Sequence, residues 1–396
     1  MSIAIGPPTI EVEGDRLEYR VDLSGFPGVD RLWFSLPASA APFVNERTDA
    51  AVLALAVPAM RLGRDLVVQG AVTDEIVWNL SRDLGVMLEV LRPEIGPISI
   101  RADDRRPAAA GGSAVATGYS AGVDSFATLA RHHFAADVPE ALRLTHLLYN
   151  NVGSHGTGEN GRELYRKRLA LLRPSALATG LPLIDVDSNV DELFSSVRLE
   201  FQPTHTIRNA AVAHLLGGGL RRYLYASTAP YSDIAVAPTG DMSMADPILL
   251  PYLSTSALTL QPDGTDLTRA EKMEVIATVP ETWDTLDVCV ASRDGSNCSE
   301  CWKCQRTMLT LELLGVFDRY SGRFVEPRDP EWRDEYVIRA MREPGPSARD
   351  FLRLYDQRIG IPLRLRLAAG RRRAAGAAAY AGRRIGREVR RRVGRG

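Results

Sequence analysis

The sequence predicts an α/β protein: a parallel, doubly wound domain with a four-cysteine zinc site, preceded by a smaller α+β domain. Three observations carry this expectation. From Ser113 onward, apolar strand-like runs alternate with helix-length stretches, the rhythm of a parallel sheet covered on both faces. The first of those strands runs into a loop of small and hydroxylated residues that opens a helix, and ligands of such sheets gather beyond the carboxyl ends of the strands. All four cysteines, Cys289, Cys298, Cys301 and Cys304, fall in one short window.

Residues 1–110 read as a module of their own, with no assigned role. Strand-like pieces at Thr9 to Glu13, Arg16 to Leu23 and Arg31 to Ser35 come first. Helical patterns follow at Asp49 to Met60 and Asp74 to Leu91, and Ile98 to Arg101 reads as a closing strand. The charged residues of this stretch are scattered, and none of them clusters in a way that carries chemistry. Arg105 to Gly112, rich in Pro, Ala and Gly, reads as a linker.

The second unit is expected to span residues 113–325. Ala114 to Tyr119 is its first strand, followed by a helix from Ser125 to Phe134. Leu144 to Tyr149 is the second strand, Arg162 to Thr179 the second helix and Pro182 to Asp187 the third strand. Helix His205 to Leu216 stops at Gly217-Gly218-Gly219, and strand Arg222 to Ala226 follows. Residues 326–396 read as a helical extension ending in an Arg-rich tail. No internal repeat is visible.

At 396 residues, 45% apolar and 24% charged, the chain has the composition of a globular protein large enough for two cores. Its start lacks a basic run, and the longest apolar stretch, Ala50 to Met60, contains Pro58 and is too short to span a bilayer. A cytoplasmic protein with no transmembrane segment is expected; the oligomeric state is left open. The net charge of −1 hides an asymmetry, because Pro362 to Gly396 carries twelve Arg against Glu388 alone. Such a tail could bind nucleic acid, or an anionic surface through the stripe Ile385, Val389 and Val393. With only three lysines against 45 arginines in the whole chain, a bias toward Arg and a disordered tail explain it equally well.

The cysteine offsets suit a tetrahedral four-thiolate site. Cys298, Cys301 and Cys304 form a C-x2-C-x2-C run and Cys289 supplies the fourth sulfur, a set that zinc accepts with no position left open, hence a structural site. Arg293, Lys303 and Arg306 stand beside the ligands and offset the two formal negative charges of such a centre. Disulfides and an iron-sulfur cluster are the alternatives.

The loop after the first strand of the second unit is Ser120-Ala121-Gly122-Val123-Asp124-Ser125. Small residues let backbone N–H groups converge on an anion, and the Ser120 and Ser125 hydroxyls add donors at a helix start. Asp124 suits an Mg2+ contact or a turn-fixing role. A plain capped helix is the other reading, since Asp and Ser are good N-caps.

This loop resembles the Ser-Gly-Gly-x-Asp-Ser loop of the PP-loop ATP pyrophosphatases, with Ala121 where the first glycine usually stands. Together with the four-cysteine site at these offsets, and with Leu267-Thr268-Arg269-Ala270-Glu271 ahead of it, the chain resembles the 7-cyano-7-deazaguanine synthases of queuosine biosynthesis. The likeness covers roughly residues 113–310. It implies an adenine nucleotide alpha-hydrolase-like fold and ATP held at Ser120, Ala121, Gly122, Val123, Asp124 and Ser125, with Asp124 and Ser125 catalytic. It also implies Mg2+ and Zn2+ as cofactors, a carboxylate substrate adenylated with release of pyrophosphate, and ammonia or another nitrogen nucleophile displacing AMP.

Two departures concern the substrate half. Residues 226–233 read Ala-Ser-Thr-Ala-Pro-Tyr-Ser-Asp in place of the family's Asp-x-Ser-Gly-Tyr-Pro-Asp-Cys-Arg run, and the Pro-x-Arg-Asn stretch appears as Pro203-Thr204-His205-Thr206, with Arg208-Asn209 displaced. His205 thus stands where an arginine is expected. The other histidines, His132, His133, His146, His155 and His214, lack ligand spacing and read as core or surface residues. Asp185 and Asp187 close the third strand, where an acid meets a ribose or Mg2+, or merely ends the strand.

Two rival functions are weighed. Gly156-Thr157-Gly158-Glu159-Asn160-Gly161 fits the dinucleotide fingerprint of an NAD-dependent dehydrogenase, but it begins too far beyond Tyr149 for the tight turn that fingerprint needs. A binding or assembly protein, using residues 1–110 and the basic tail to recruit nucleic acid or another partner, keeps the fold without the chemistry.

Overall fold

The computed structural model describes residues 2–109, 111–292, 294 and 296–371. Its strands are β1 (Ser2–Ile5), β2 (Thr9–Glu13), β3 (Arg16–Ser24), β4 (Arg31–Pro37), β5 (Asp65–Val68), β6 (Val72–Thr73), β7 (Ile100–Ala102), β8 (Arg105–Arg106), β9 (Ala114–Gly118), β10 (His146–Asn150), β11 (Leu183–Ser188), β12 (Leu220–Ala226) and β13 (Thr259–Asp263). Its helices are α1 (Asp49–Leu62), α2 (Asp74–Leu80), α3 (Asp83–Leu91), α4 (Val123–Leu129), α5 (Gly158–Ala178), α6 (Val190–Ser196), α7 (His205–Leu215), α8 (Asp246–Tyr252), α9 (Arg269–Ile276), α10 (Trp302–Leu313), α11 (Trp332–Arg342) and α12 (Pro346–Arg358).

Five parallel strands in the order β13-β12-β9-β10-β11 form the half of the sheet that the sequence reads as doubly wound. Successive residues point to opposite faces, as pleating requires. Ala114 and Ala116 of β9 enter one buried cluster and Val115 the other. In β12, Tyr223 and Tyr225 join the first cluster and Leu224 the second. Both faces are therefore apolar, and helices cover both, α6 and α7 contributing to the first cluster and α4, α5, α10 and α11 to the second. Because β10 lies on one side of β9 and β12 on the other, the strand order reverses at β9, and a crevice opens at its carboxyl end.

Residues 1–110 do not stand apart from this sheet. The order continues β11-β4-β3-β1-β5-β7, and the junction is antiparallel, Asp187 opposite Ser35 and Ser188 opposite Phe34. Asp185 of β11 reinforces it, accepting from Arg16 of β3 at 2.7 Å and from Arg173 at 2.8 Å. Helix α1, apolar on all sides and buried from Asp49 to Met60, packs on α6 and α7. A helix with no polar face must be enclosed by its neighbours, so the α+β segment at the start of the chain shares one core with the parallel half. The stretch read as a linker is likewise held: Arg105–Arg106 pairs with Val72–Thr73, and Arg47 donates to the Pro107 carbonyl at 2.7 Å.

The single helix expected over Asp74 to Leu91 is two. Arg82 leaves the helical region at φ −139°, ψ −120°, and α3 folds back so tightly that a Cβ on Gly85 would stand 2.4 Å from the Leu80 carbonyl oxygen. The extension after residue 325 is helical and packs Trp332, Tyr336, Phe351 and Leu365 into the second cluster. Most of the Arg-rich tail, with Ile385, Val389 and Val393, lies outside the described residues, as does Arg293. Among the described residues no helix is long and apolar enough to cross a membrane.

Candidate functional site

A cleft of about 550 Å³ opens at the crevice beyond β9. Ser120, Ala121, Asp124 and Ser125 line it, together with Tyr149 and Asn150 from the end of β10 and Tyr225 from the end of β12. Gly122 and Val123 do not line it, and the Val123 side chain is turned into the core. Ser125 Oγ donates to the Gly122 carbonyl at 3.0 Å, closing the first turn of α4.

Ala121 has φ +53°. That left-handed conformation suits glycine and strains a residue with a Cβ by about 1–2 kcal/mol. The loop thus keeps a backbone shape that glycine would favour, with an alanine forced into it. A hydrogen bond from Asp287 N–H to the Ala121 carbonyl, 2.8 Å, fastens it.

Both oxygens of Asp124 are occupied: Arg269 Nη1 donates to Oδ2 at 2.6 Å and Lys272 Nζ to Oδ1 at 3.2 Å. Burial opposes the charge of Asp124, but the two cations outweigh it and hold the carboxyl at about 2. In this geometry Asp124 is the counter-ion that positions two cations beside the loop. Lys272, itself 1% exposed, also donates to the Ser227 carbonyl. Burial, then Arg269 and Arg306, lower the pKa of Lys303, and burial followed by Arg269 lowers Arg306 to about 10. Nε and Nη1 of Arg306 are buried without a partner. Four cations around one carboxylate leave a positive field next to the cleft. Arg269 belongs to the patch singled out in the sequence; Lys272, just past its end, was missed there.

The four cysteines meet in space, their sulfurs all within 4.8 Å of one another. They are free thiols. Tetrahedral zinc with ~2.3 Å bonds would set the sulfurs about 3.8 Å apart, and Cys298 Sγ and Cys304 Sγ stand at 4.0 Å. The group could hold a metal ion such as zinc, and it is the only such cluster found among the described residues. Cys301 caps α10 and Cys304 sits in its first turn, which fixes two sulfurs on one rigid element. Ser292 N–H and Cys301 N–H donate to Cys289 Sγ and Cys298 Sγ at 3.2 and 3.3 Å. Cys289 N–H donates to Asp287 at 3.1 Å, and Asp287 N–H to the Ala121 carbonyl, so one short segment connects the cysteine cluster with the loop.

The lining also has aromatic and amide groups, Phe201, Tyr225, Asn150 and Asn209. Asn150 Nδ2 donates to Asn209 Oδ1 at 3.0 Å, and Asn150 Oδ1 is buried without a partner. Arg208 does not reach the cleft; it is 2% exposed and donates to the Thr204 hydroxyl and to the carbonyls of Val152, Leu199 and Glu200. Of the rewritten segment 226–233, Ala226 and Thr228 line the cleft, while Asp233 pairs with Arg349.

His155 lines the cleft, which its spacing did not reveal: Tyr149 OH and His155 Nε2 are 2.7 Å apart, and burial pushes the imidazole down to about 4, so it is neutral at pH 7. His132 bonds Asp263 at 2.8 Å, His133 the Thr179 carbonyl and His214 the Leu253 carbonyl. Asp185 and Asp187 do not line the cleft, Asp185 being taken by its two arginines and Asp187 by Asn151 at 2.7 Å. The glycine run at 156–161 leads into α5, but residues 151–155 separate it from β10. No protein-family model matches the chain, and comparison with curated proteins and solved structures gave no match either.

Proposed function

We propose that the cleft beyond β9 takes MgATP, with its phosphates at the Ser120–Ser125 loop, and that the protein is an ATP-dependent carbon–nitrogen ligase of the AMP- and pyrophosphate-forming PP-loop type. One observation carries this reading: the loop lies at the sheet's topological switch point, on the wall of the main cleft, beside Arg269, Lys272, Lys303 and Arg306. Clefts at that position bind ligands in open α/β sheets, and preplaced cations serve a reaction in which negative charge gathers on a leaving group.

In this reading the substrate carboxylate attacks the α-phosphorus of ATP, and the bond to the departing pyrophosphate breaks. Arg269 and Lys272, oriented by Asp124, meet the charge that builds on the leaving oxygens. A nitrogen nucleophile then attacks the acyl carbon, and AMP leaves with the bonding pair. Mg2+, when bound with the nucleotide, would neutralise part of the phosphate charge. The four cysteines would hold Zn2+ as a closed structural centre that braces the segment from Asp287 to Cys304.

Phe201 and Tyr225, with the amides of Asn150 and Asn209, suit a flat acid with hydrogen-bonding edges. A 7-deazaguanine carboxylate is the leading candidate, from the resemblance to 7-cyano-7-deazaguanine synthases. The test is to incubate the protein with ATP, ammonia and 7-carboxy-7-deazaguanine and to follow AMP and product mass. AMP together with a product carrying nitrogen supports the reading; intact ATP with this and a panel of other carboxylic acids rejects it.

A further inference from the structure

Against Tyr225 of the cleft wall, His205 is held on both ring nitrogens. Its Nδ1 lies 2.7 Å from Tyr225 OH, and its Nε2 lies 3.2 Å from Asp241 Oδ1. Asp241 is fixed in turn by Gln202 Nε2 at 2.7 Å and by Ser243 N–H at 3.0 Å. His205 and Tyr225 are each 8% exposed, and Tyr225 forms part of the cleft wall.

A carboxylate can only accept, so the Asp241 contact places the imidazole proton on Nε2. Nδ1 is then a lone pair facing the Tyr225 hydroxyl. Acid, imidazole and hydroxyl in one line are the arrangement that lets a buried base draw a proton through a hydroxyl. The other groups facing His205 are Thr206, whose hydroxyl is 3.3 Å from Nδ1, the Phe201 ring, and Asp246, whose Oδ1 accepts from Thr206 at 2.6 Å.

The geometry points to a proton relay, Tyr225 to His205 to Asp241, that receives the proton released when a nitrogen nucleophile attacks the activated acid. This rests on the ligase reading and adds the step that reading leaves open. As the carbon–nitrogen bond forms and the carbon–oxygen bond to AMP breaks, AMP takes the bonding pair. The surplus N–H proton passes to Tyr225 Oη while the phenolic proton moves to His205 Nδ1. Tyr225 ends neutral, and Asp241 stabilises the imidazolium. Tyr225 is the group that meets the nucleophile; His205 and Asp241 act through it. The relay stands at the position where the resemblance expects an arginine, so this chain exchanges a fixed cation for a group that can gain and lose a proton.

Imidazole nitrogen resonances of the ¹⁵N-labelled full-length protein read the tautomer without any substrate. The expected result at about pH 8 is a His205 protonated on Nε2 and bare on Nδ1, a preference weakened in Asp241→Asn. A His205 protonated on Nδ1, or on both nitrogens, at that pH overturns the relay. With MgATP, ammonia and 7-carboxy-7-deazaguanine, Tyr225→Phe and His205→Gln should slow product formation about 100-fold while ATP–pyrophosphate exchange falls far less, because exchange requires no proton to leave the nucleophile. Added imidazole should restore part of the rate to His205→Gly, a rescue that a merely structural histidine would not show. Equal loss of exchange and product formation in variants with wild-type melting temperatures counts against the relay. Absence of exchange in the wild type removes the ligase reading instead, and the nitrogen resonances still decide whether the histidine can accept a proton.

Discussion

The backbone N–H of Asp287 donates to the carbonyl of Ala121 across 2.8 Å, tying the strained residue of the cleft loop to the segment that enters the first cysteine. Two features far apart in the chain are thereby one mechanical unit. An ion held by the four sulfurs would fix Cys289 and, through Asp287, the carbonyl of Ala121.

Metal removal is therefore expected to act at a distance. Chelating the ion, or Cys301→Ser, should lower the melting temperature by about 10 °C, since structural sites contribute several kcal/mol of folding energy. MgATP affinity should fall in parallel at temperatures where the chain is still folded. Unchanged nucleotide affinity in metal-free, folded protein would show that the loop does not rely on this connection.

Ala121→Gly should stabilise the protein by about 0.5–1 kcal/mol. Relief of the left-handed strain outweighs the extra chain entropy that glycine gives the unfolded state. Urea unfolding measures it, and a destabilised variant would mean that the Ala121 methyl, buried at 3% exposure, contributes more through packing than it loses through strain.

Asp124→Ala should abolish ATP–pyrophosphate exchange and leave the metal content intact, because the carboxylate orients Arg269 and Lys272 and touches none of the cysteines. The pH dependence has a defined sign. A carboxyl held at about 2 when folded and near 3.9 when unfolded gives stability that is full above about pH 4 and lost as pH falls toward 2. Retained exchange in the variant would remove Asp124 from the chemistry.

Asp246 behaves in the opposite way. It is fully buried with Oδ2 unpartnered, and burial pushes its carboxyl up to about 6. A folded pKa above the unfolded one means that the native state holds the proton longer, so this group's contribution is full below about pH 4 and declines as pH rises to 6. Asp246→Asn should remove that decline and raise stability at pH 7 by about 2 kcal/mol. A variant less stable than wild type at both pH 5 and pH 8 would show that Asp246 is ionised and paired.

The alternating half of the fold was legible because each strand from β9 to β12 is a short apolar run followed by a breaker and an amphipathic helix, and local pattern suffices for that. The separation of residues 1–110 from the rest was drawn from composition at Arg105 to Gly112. Pairing of β4 with β11 joins residues more than a hundred positions apart, and no local signal marks it. The cysteine cluster was legible because spacing alone brings thiols together. Lys272, His155 and the His205–Tyr225–Asp241 contacts were not, since His155 and Tyr225 reach the cleft, and Lys272, His205 and Asp241 reach their partners, only through tertiary packing. Asp185, expected to close its strand, lies within β11, and the arginines that occupy it come from β3 and α5.

Calorimetric titration of MgATP into wild type and Ser120→Asp tests the central claim most directly. Ser120 is exposed on the cleft wall, so the change disturbs no packing and places a carboxylate where the phosphates are proposed to lie. The account predicts one saturable site in the wild type and its loss in the variant, with metal content unaltered. Equal affinity in both proteins, or no binding to the wild type, would contradict it.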